Sequence, residues 1–302
     1  MSDAIVLTGS ALMGAYAAGA LTTITSLPVM SSLNLNITHC LGTSSGALNA
    51  AYIATSIRQG AIANSGERLS DIWINDVSWT SLFHPSFSGI IHGEGLFNLG
   101  GILSVMRKSL PAAPGTTPIK LSMAMTNLDG QTIMVDGYPT TSFQQVMSFS
   151  DTDFDTEASL DGIRMAATAS SSIPYLFAPM QLTVGGNTIK VIDGSLVDDT
   201  PITRALEDKS IDRVFVVVPY PRVSEVNVSG GISLTENVLD ILVRQRLVRD
   251  LSNAMKISSA QIIEVRPDSD LPGSDLSAAF SKTMRSEYVQ AGMDDAKKAL
   301  GL

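Results

Sequence analysis

Ser44 lies in Gly42-Thr43-Ser44-Ser45-Gly46, a G-x-S-x-G pentapeptide that follows the apolar run Ile37–Leu41 and opens the small-residue helix Ala47–Tyr52. A strand, a sharp turn and a helix in that order lift a serine hydroxyl out of an α/β sheet, where it can attack an ester carbonyl. Gly42 and Gly46 let strand and helix close around a strained nucleophile elbow, and the helix N-terminus behind Ser44 adds free N–H groups and a positive dipole end. The pentapeptide alone also fits a glycine-rich βα turn with no chemistry, so the reading depends on finding a base for the hydroxyl.

The usual base is histidine, and the chain has three: His39, His84 and His92. An α/β-hydrolase orders its triad as nucleophile, acid and a downstream histidine, yet no histidine follows position 92. His39 sits on the strand entering the turn and reads as structural. His84 beside Pro85 and His92 beside Gly93 read as loop residues. The remaining candidate is Asp193 in Val191-Ile192-Asp193-Gly194, which ends an apolar strand and precedes a glycine, so that its carboxylate emerges at a sheet edge. Partial burial would raise its pKa and let it take the serine proton directly. An ordinary turn aspartate is what the D-G dipeptide alone would suggest.

Together these residues resemble the patatin-like phospholipases, or lipid acyl hydrolases. Four blocks carry the resemblance in family order over residues 4–205: Gly9 to Gly14, Gly42 to Gly46, Ala169-Ser170-Ser171-Ser172-Ile173-Pro174 with Phe177 and Pro179, and Asp193-Gly194 with Pro201-Ile202. The resemblance implies a three-layer α/β/α sandwich with a mainly parallel central sheet. It implies a Ser44–Asp193 dyad without histidine, an oxyanion hole from the backbone N–H groups of Gly9, Ser10 and Ala11, and no metal or organic cofactor. The substrate would be a phospholipid, lysophospholipid or neutral acyl ester. Acyl transfer to an acceptor other than water and a catalytically silent scaffold are the competing functions, and retention of both Ser44 and Asp193 argues against the second.

Where the family reads G-G-G-x-[RK]-G, this chain has Gly9-Ser10-Ala11-Leu12-Met13-Gly14. Ser10 and Ala11 keep their N–H donors, and a positive φ at either would cost about 1–2 kcal/mol. Met13 replaces a cation, and a thioether beside the site would favour an uncharged ester over an anionic headgroup. Ser195 stands in place of a smaller third residue after Asp193-Gly194, and Asp199 where asparagine is common.

At 302 residues, 44% hydrophobic and 16% charged, the chain can form one well-packed domain spanning residues 1–302. A formal charge of −9 with no basic stripe argues against nucleic-acid partners and against electrostatic capture by an anionic membrane. Met1–Thr8 lacks a basic signal-peptide region, and no apolar run reaches the roughly 18 residues of a transmembrane span. Cys40, the single cysteine, reads as a packing residue. These features suit a cytoplasmic protein that meets lipid peripherally. Strands are expected at Ile5–Leu7, Ile37–Leu41, Lys120–Met125, Lys190–Asp193, Arg213–Val218 and Gln261–Val265. A hairpin turning at Gly185-Gly186-Asn187 would deliver Asp193. Glu236–Lys256 and Ala278–Leu300 have helical spacing. Two segments are candidate covers for the site: Asn75–Gly101, with Trp79, Phe83, Phe87 and Phe97, and Tyr138–Gly162, whose Asp151–Glu157 stretch reads as a solvated acidic loop without the glycine and glutamate of a calcium loop.

Overall fold

The computed structural model describes residues 1–86, 95–223, 231–272 and 281–302. Its first half runs β1 (Ser2–Leu7), α1 (Gly14–Ile24), α2 (Leu27–Ser32), β2 (Ile37–Thr43), α3 (Ser45–Arg58), α4 (Ser65–Asn75), α5 (Trp79–Leu82), β3 (His84–Pro85), β4 (Phe97–Asn98) and α6 (Gly100–Ser109). The second half runs β5 (Lys120–Val135), β6 (Tyr138–Ser150), α7 (Glu157–Ser170), β7 (Met180–Val184), β8 (Asn187–Asp193), α8 (Ile202–Glu207), β9 (Ile211–Val217), α9 (Gly231–Ile257), β10 (Gln261–Val265) and α10 (Lys282–Leu300).

Layering follows from the two-residue period of the strands. In β1, Ile5 and Leu7 enter one apolar cluster while Ala4 and Val6 enter another. The first cluster takes in Tyr16 and Leu21 of α1, Ile53 of α3, Ile163 of α7 and Tyr288 of α10; the second takes in Ile202 and Leu206 of α8 with Leu247 and Leu251 of α9. Helices therefore cover both faces of the sheet, which is the α/β/α sandwich.

The strand order is β10-β9-β1-β2-β5, all parallel, followed by the antiparallel β8 and β7, with β6 antiparallel along β5. Strand β5 decides the geometry of the site. From Lys120 to Thr126 one of its edges is occupied by β6. The other edge is shared: β2 pairs with it as far as Thr43↔Ala124, and β8 takes over at Asp193↔Met125. Because β2 is parallel and β8 antiparallel to β5, their C-terminal ends meet head to head at two consecutive residues of one strand. Ser44 follows the first end and Asp193 closes the second.

The expected strands are all present, and the β7–β8 hairpin turns at Gly185 and Gly186, both with positive φ. Glu236–Lys256 lies within α9. The last helix begins at Lys282, where the Ser281 hydroxyl accepts from Met284 N, and residues 278–280 lie outside the described residues. The segment from Tyr138 to Gly162 is not a loop: it holds β6, a short 3-10 turn at Asp151–Phe154 and the first turn of α7. Its polar, largely exposed face hides a strand that exists because β5 supplies a ladder along its length. The acids are not free in solvent either. Asp155 takes Nε and Nη2 of Arg58 at 2.9 and 2.8 Å, and Asp151 accepts from Ile119 N. They tie the α6–β5 connection to α3.

Candidate active site

The nucleophile side is local. Ser44 has φ 54 and ψ −128, a conformation that a non-glycine residue holds only under strain from its surroundings. What holds it is contact on both sides. A side chain at Gly42 would collide with the Gly46 carbonyl, and one at Gly46 with the Leu7 carbonyl, so β2, α3 and β1 all close on the turn. Ser44 N–H donates to Ser170 Oγ at 2.9 Å, and Ser170 Oγ donates to the Ala124 carbonyl at 2.6 Å. The elbow is thereby fastened to the residue of β5 at which β2 stops.

The carboxylate side is assembled from distant parts. Asp193 N–H donates to Ser172 O at 3.0 Å, and Thr126 Oγ1 donates to Asp193 O at 2.7 Å. Asp193 Oδ1 accepts from Ser195 N at 2.9 Å, capping a short 3-10 turn. Gly194 packs so tightly that a side chain there would meet the Ala124 carbonyl and, at 2.8 Å, Thr43 Cγ2. Burial pushes the Asp193 pKa up, while the Ser44 hydroxyl and the Ser195 N–H and hydroxyl oppose the shift. Oδ2 makes no hydrogen bond of ordinary length and angle among the described residues. Contacts between a catalytic base and its nucleophile characteristically tighten once substrate is bound.

In the Gly9–Ala11 turn the three residues differ. Gly9 N–H is engaged by the Asp199 carbonyl at 3.1 Å, so Gly9 supplies room rather than a free donor. A methyl group on Gly9 would meet Ser195 Oγ, lie 2.5 Å from Asp199 Oδ1 and lie 3.2 Å from Ser44 Cβ. Ser10 N–H makes a long bond, 3.2 Å, to Ser45 Oγ. Ala11 adopts φ 47, the left-handed conformation anticipated for this turn, and it lines the pocket together with Ser44.

That pocket is a cavity of about 90 Å³ running from Ser44 and Ala11 past Leu48, Trp73 and Phe83 to Met106 and Leu110. Its walls are almost wholly apolar. The Asn75–Gly101 aromatics build one side of it. Phe83 stacks on Trp79 at 4.6 Å and on Phe177 at 5.4 Å, and Phe97 meets Phe83 edge-on at 4.9 Å. Phe87 lies outside the described residues. Nothing in local sequence spacing marks these walls, because Trp73, Met106 and Phe177 come from separate elements.

The histidines lie elsewhere. His39 is buried on β2, bonds Ser122 through Nε2 at 3.1 Å, and is held neutral by burial, its pKa lowered to about 4. His84 is exposed on β3, and His92 lies outside the described residues. Met13 packs partly buried against both apolar clusters and is not among the residues lining the pocket. Cys40 is fully buried, with its thiol pKa pushed up by burial, as a packing residue would be.

The patatin-like phospholipase profile matches residues 5–206, more than half of the chain. The chain belongs to the patatin-like phospholipase family. No curated protein matches it by sequence. Among solved structures it is similar to VipD from Legionella pneumophila (12% identity, TM-score 0.48, covering 99% of this chain and 66% of that one). It is also similar to the type III effector ExoU (12% identity, TM-score 0.32, covering 98% and 53%). The chain thus spans less than two thirds of either neighbour's length. None of its described helices is long and apolar enough to cross a membrane.

Proposed function

We propose that this patatin-like protein cleaves carboxylic esters of lipids by a two-step acyl-enzyme route. Ser44 attacks the acyl carbonyl as Asp193 accepts its proton, and Asp193 passes that proton to the alcohol oxygen as the ester C–O bond breaks, leaving the acyl-enzyme; Asp193 then draws a proton from the attacking water and returns it to Ser44 Oγ as the fatty acid leaves. The N–H groups of Ala11 and Ser10 hold the oxyanion, Ser10 exchanging its long bond to Ser45 for a stronger charge-assisted one. The acyl chain occupies the apolar cavity. Residues 1–302 act as one unit, a reading supported by β9 pairing with β1 and by α10 packing on α1.

The observation that carries this reading is the junction on β5, where the strand end before a strained serine meets the strand end that closes with a buried aspartate, the serine lining an apolar pocket. A fluorophosphonate probe should label Ser44 in the wild type and not in Ser44→Ala, with fatty acid released from a fluorescent phospholipid or glyceride only by the labelled protein. A folded wild type that neither labels nor releases fatty acid would overturn it. Replacing His39, His84 and His92 together should leave at least about a tenth of kcat/KM, because none of the three takes part in the proposed proton transfers.

A further inference from the structure

Asp3 and Asp199 are both fully buried, with opposite surroundings. Asp3 is an anion answered by Arg213, which donates from Nε at 2.8 Å and from Nη2 at 3.0 Å. Among the described residues no cation answers Asp199. The charged groups acting on it are Asp193 at the end of β8, Asp198 beside it in the chain and Asp250 from α9, all of its own sign. Of the other elements packed around this turn, α9 directs Arg246 to the Leu196 carbonyl, and Tyr220, after β9, directs its hydroxyl to Gly9 O. Among the described residues neither Asp199 oxygen has a hydrogen bond of ordinary geometry. A buried carboxyl with no partner of opposite charge keeps its proton rather than bear the cost of an isolated charge.

Its position makes that proton consequential. Asp199 Oδ1, Ser195 Oγ and Ser44 Cβ all crowd the one space that a side chain on Gly9 would fill. The Ser195 hydroxyl acts on both carboxyls, lowering the pKa of Asp193 and of Asp199. We propose that Asp199 is a positioning residue that works as the neutral acid: its O–H donates to Ser195 Oγ, and the Ser195 O–H is thereby turned to donate to Asp193. One proton on Asp199 thus sets the direction of a two-link chain ending on the catalytic base. Loss of that proton reverses the chain: Ser195 turns to the Asp199 anion, Asp193 loses a donor, and a second negative charge arises next to the turn that holds the oxyanion. No atom is transferred to substrate in this arrangement.

The inference rests on the dyad reading above, and the test separates the two. The kcat/KM for an uncharged acyl ester is followed by pH-stat from acid to alkaline pH for wild type, Asp199→Asn, Asp199→Leu and Ser195→Ala. The carboxamide of Asp199→Asn can donate to Ser195 but cannot ionise, so this variant should keep at least about a third of the wild-type value near pH 6 and lose the alkaline decline of the wild type. Asp199→Leu, similar in size and without a donor, should fall at least tenfold at every pH. Asp199→Asn added to Ser195→Ala should change the rate less than threefold. Infrared spectra of wild type at neutral pH should contain a protonated-carboxyl band that Asp199→Asn lacks, a readout independent of turnover. An alkaline decline identical in wild type and Asp199→Asn, or no loss of the infrared band, would overturn the relay while active, labelled Ser44 left the dyad intact. Absence of Ser44 labelling in the wild type would instead overturn the reading on which the relay rests.

Discussion

The two halves of the site are built in different ways. Most of what shapes Ser44 lies within a few residues of it or in the backbone against it, namely Gly42, Gly46, the end of β2 and the start of α3, with Ser170 Oγ as the one distant brace named above. Asp193 has no such local frame. It is delivered by a hairpin, stopped by the end of β2 on the shared edge of β5, and braced by Ser172, Thr126 and Ser195. The proposed nucleophile is thus a property of a turn, and the proposed base is a property of a sheet. The acids follow the same division: Asp193, Asp198 and Asp199, each with a raised pKa, crowd the base side.

The largest effects should come from removing either half. Ser44→Ala and Asp193→Asn should each lower kcat/KM by about a thousand-fold or more, and the double variant should be little worse than either, as members of one catalytic unit behave. Steady-state kinetics with circular dichroism to verify folding checks this; additive losses would mean that the halves act independently. A smaller effect should reach the base side without touching its chemistry. Gly194→Ala forces a methyl group into the Ala124 carbonyl and Thr43 and displaces Asp193, costing about ten- to a hundred-fold in kcat, the usual scale for a misplaced catalytic group. Fluorophosphonate labelling would locate the damage at the base, since Ser44 should still sit on an intact turn and react slowly rather than not at all.

Stability should reveal the same asymmetry through pH. Burial and then Asp250 raise the Asp198 pKa to about 7, although Gln144 donates to it at 2.8 Å. In the unfolded chain its pKa returns to about 3.9. Between those values the folded protein binds more protons than the unfolded one, so this group's stabilisation is complete below about pH 4 and is lost as pH rises through about 7. Urea midpoints at pH 4.5 and 7.5 should therefore differ less in Asp198→Asn than in the wild type. The smallest effect belongs to the oxyanion turn. Ala11→Gly relieves a positive φ and should add up to about 1 kcal/mol of stability with turnover within about threefold, read by chemical denaturation.

This division also explains what the sequence made legible. The strands read out because central parallel strands are continuous apolar runs, such as Ile5–Leu7 and Arg213–Val218, and the elbow read out because its glycines and serine are contiguous. Asp193 could be singled out as a strand-ending acid, and the family resemblance added its partner; the junction that joins them could not be read. It depends on two strands sharing one edge of β5 at Ala124 and Met125, and register between segments far apart leaves no local mark. For the same reason β6 was hidden in a polar stretch, and nothing local marks Asp199, read only as standing where asparagine is common, as a fully buried acid. The position of Met13 in the core follows from packing between two clusters, again a matter of distant elements.

The place of β1 in the sheet bears on the order in which the protein can be made. This strand leaves the ribosome before β2 and β9, yet it ends up between them, with Leu7 opposite both Gly42 and Val217. Its buried Asp3 must wait for Arg213, 210 residues later, before its charge is matched. A nascent chain that has just released residue 205 therefore carries both Ser44 and Asp193 while one edge of β1 is still bare and its apolar side chains lack half their cover. Non-local pairing of this kind closes slowly and leaves partly made chains prone to association. The reactive pair is thus synthesised before the sheet that must hold it is closed, and the arrival of β9 marks when the enzyme can first be whole.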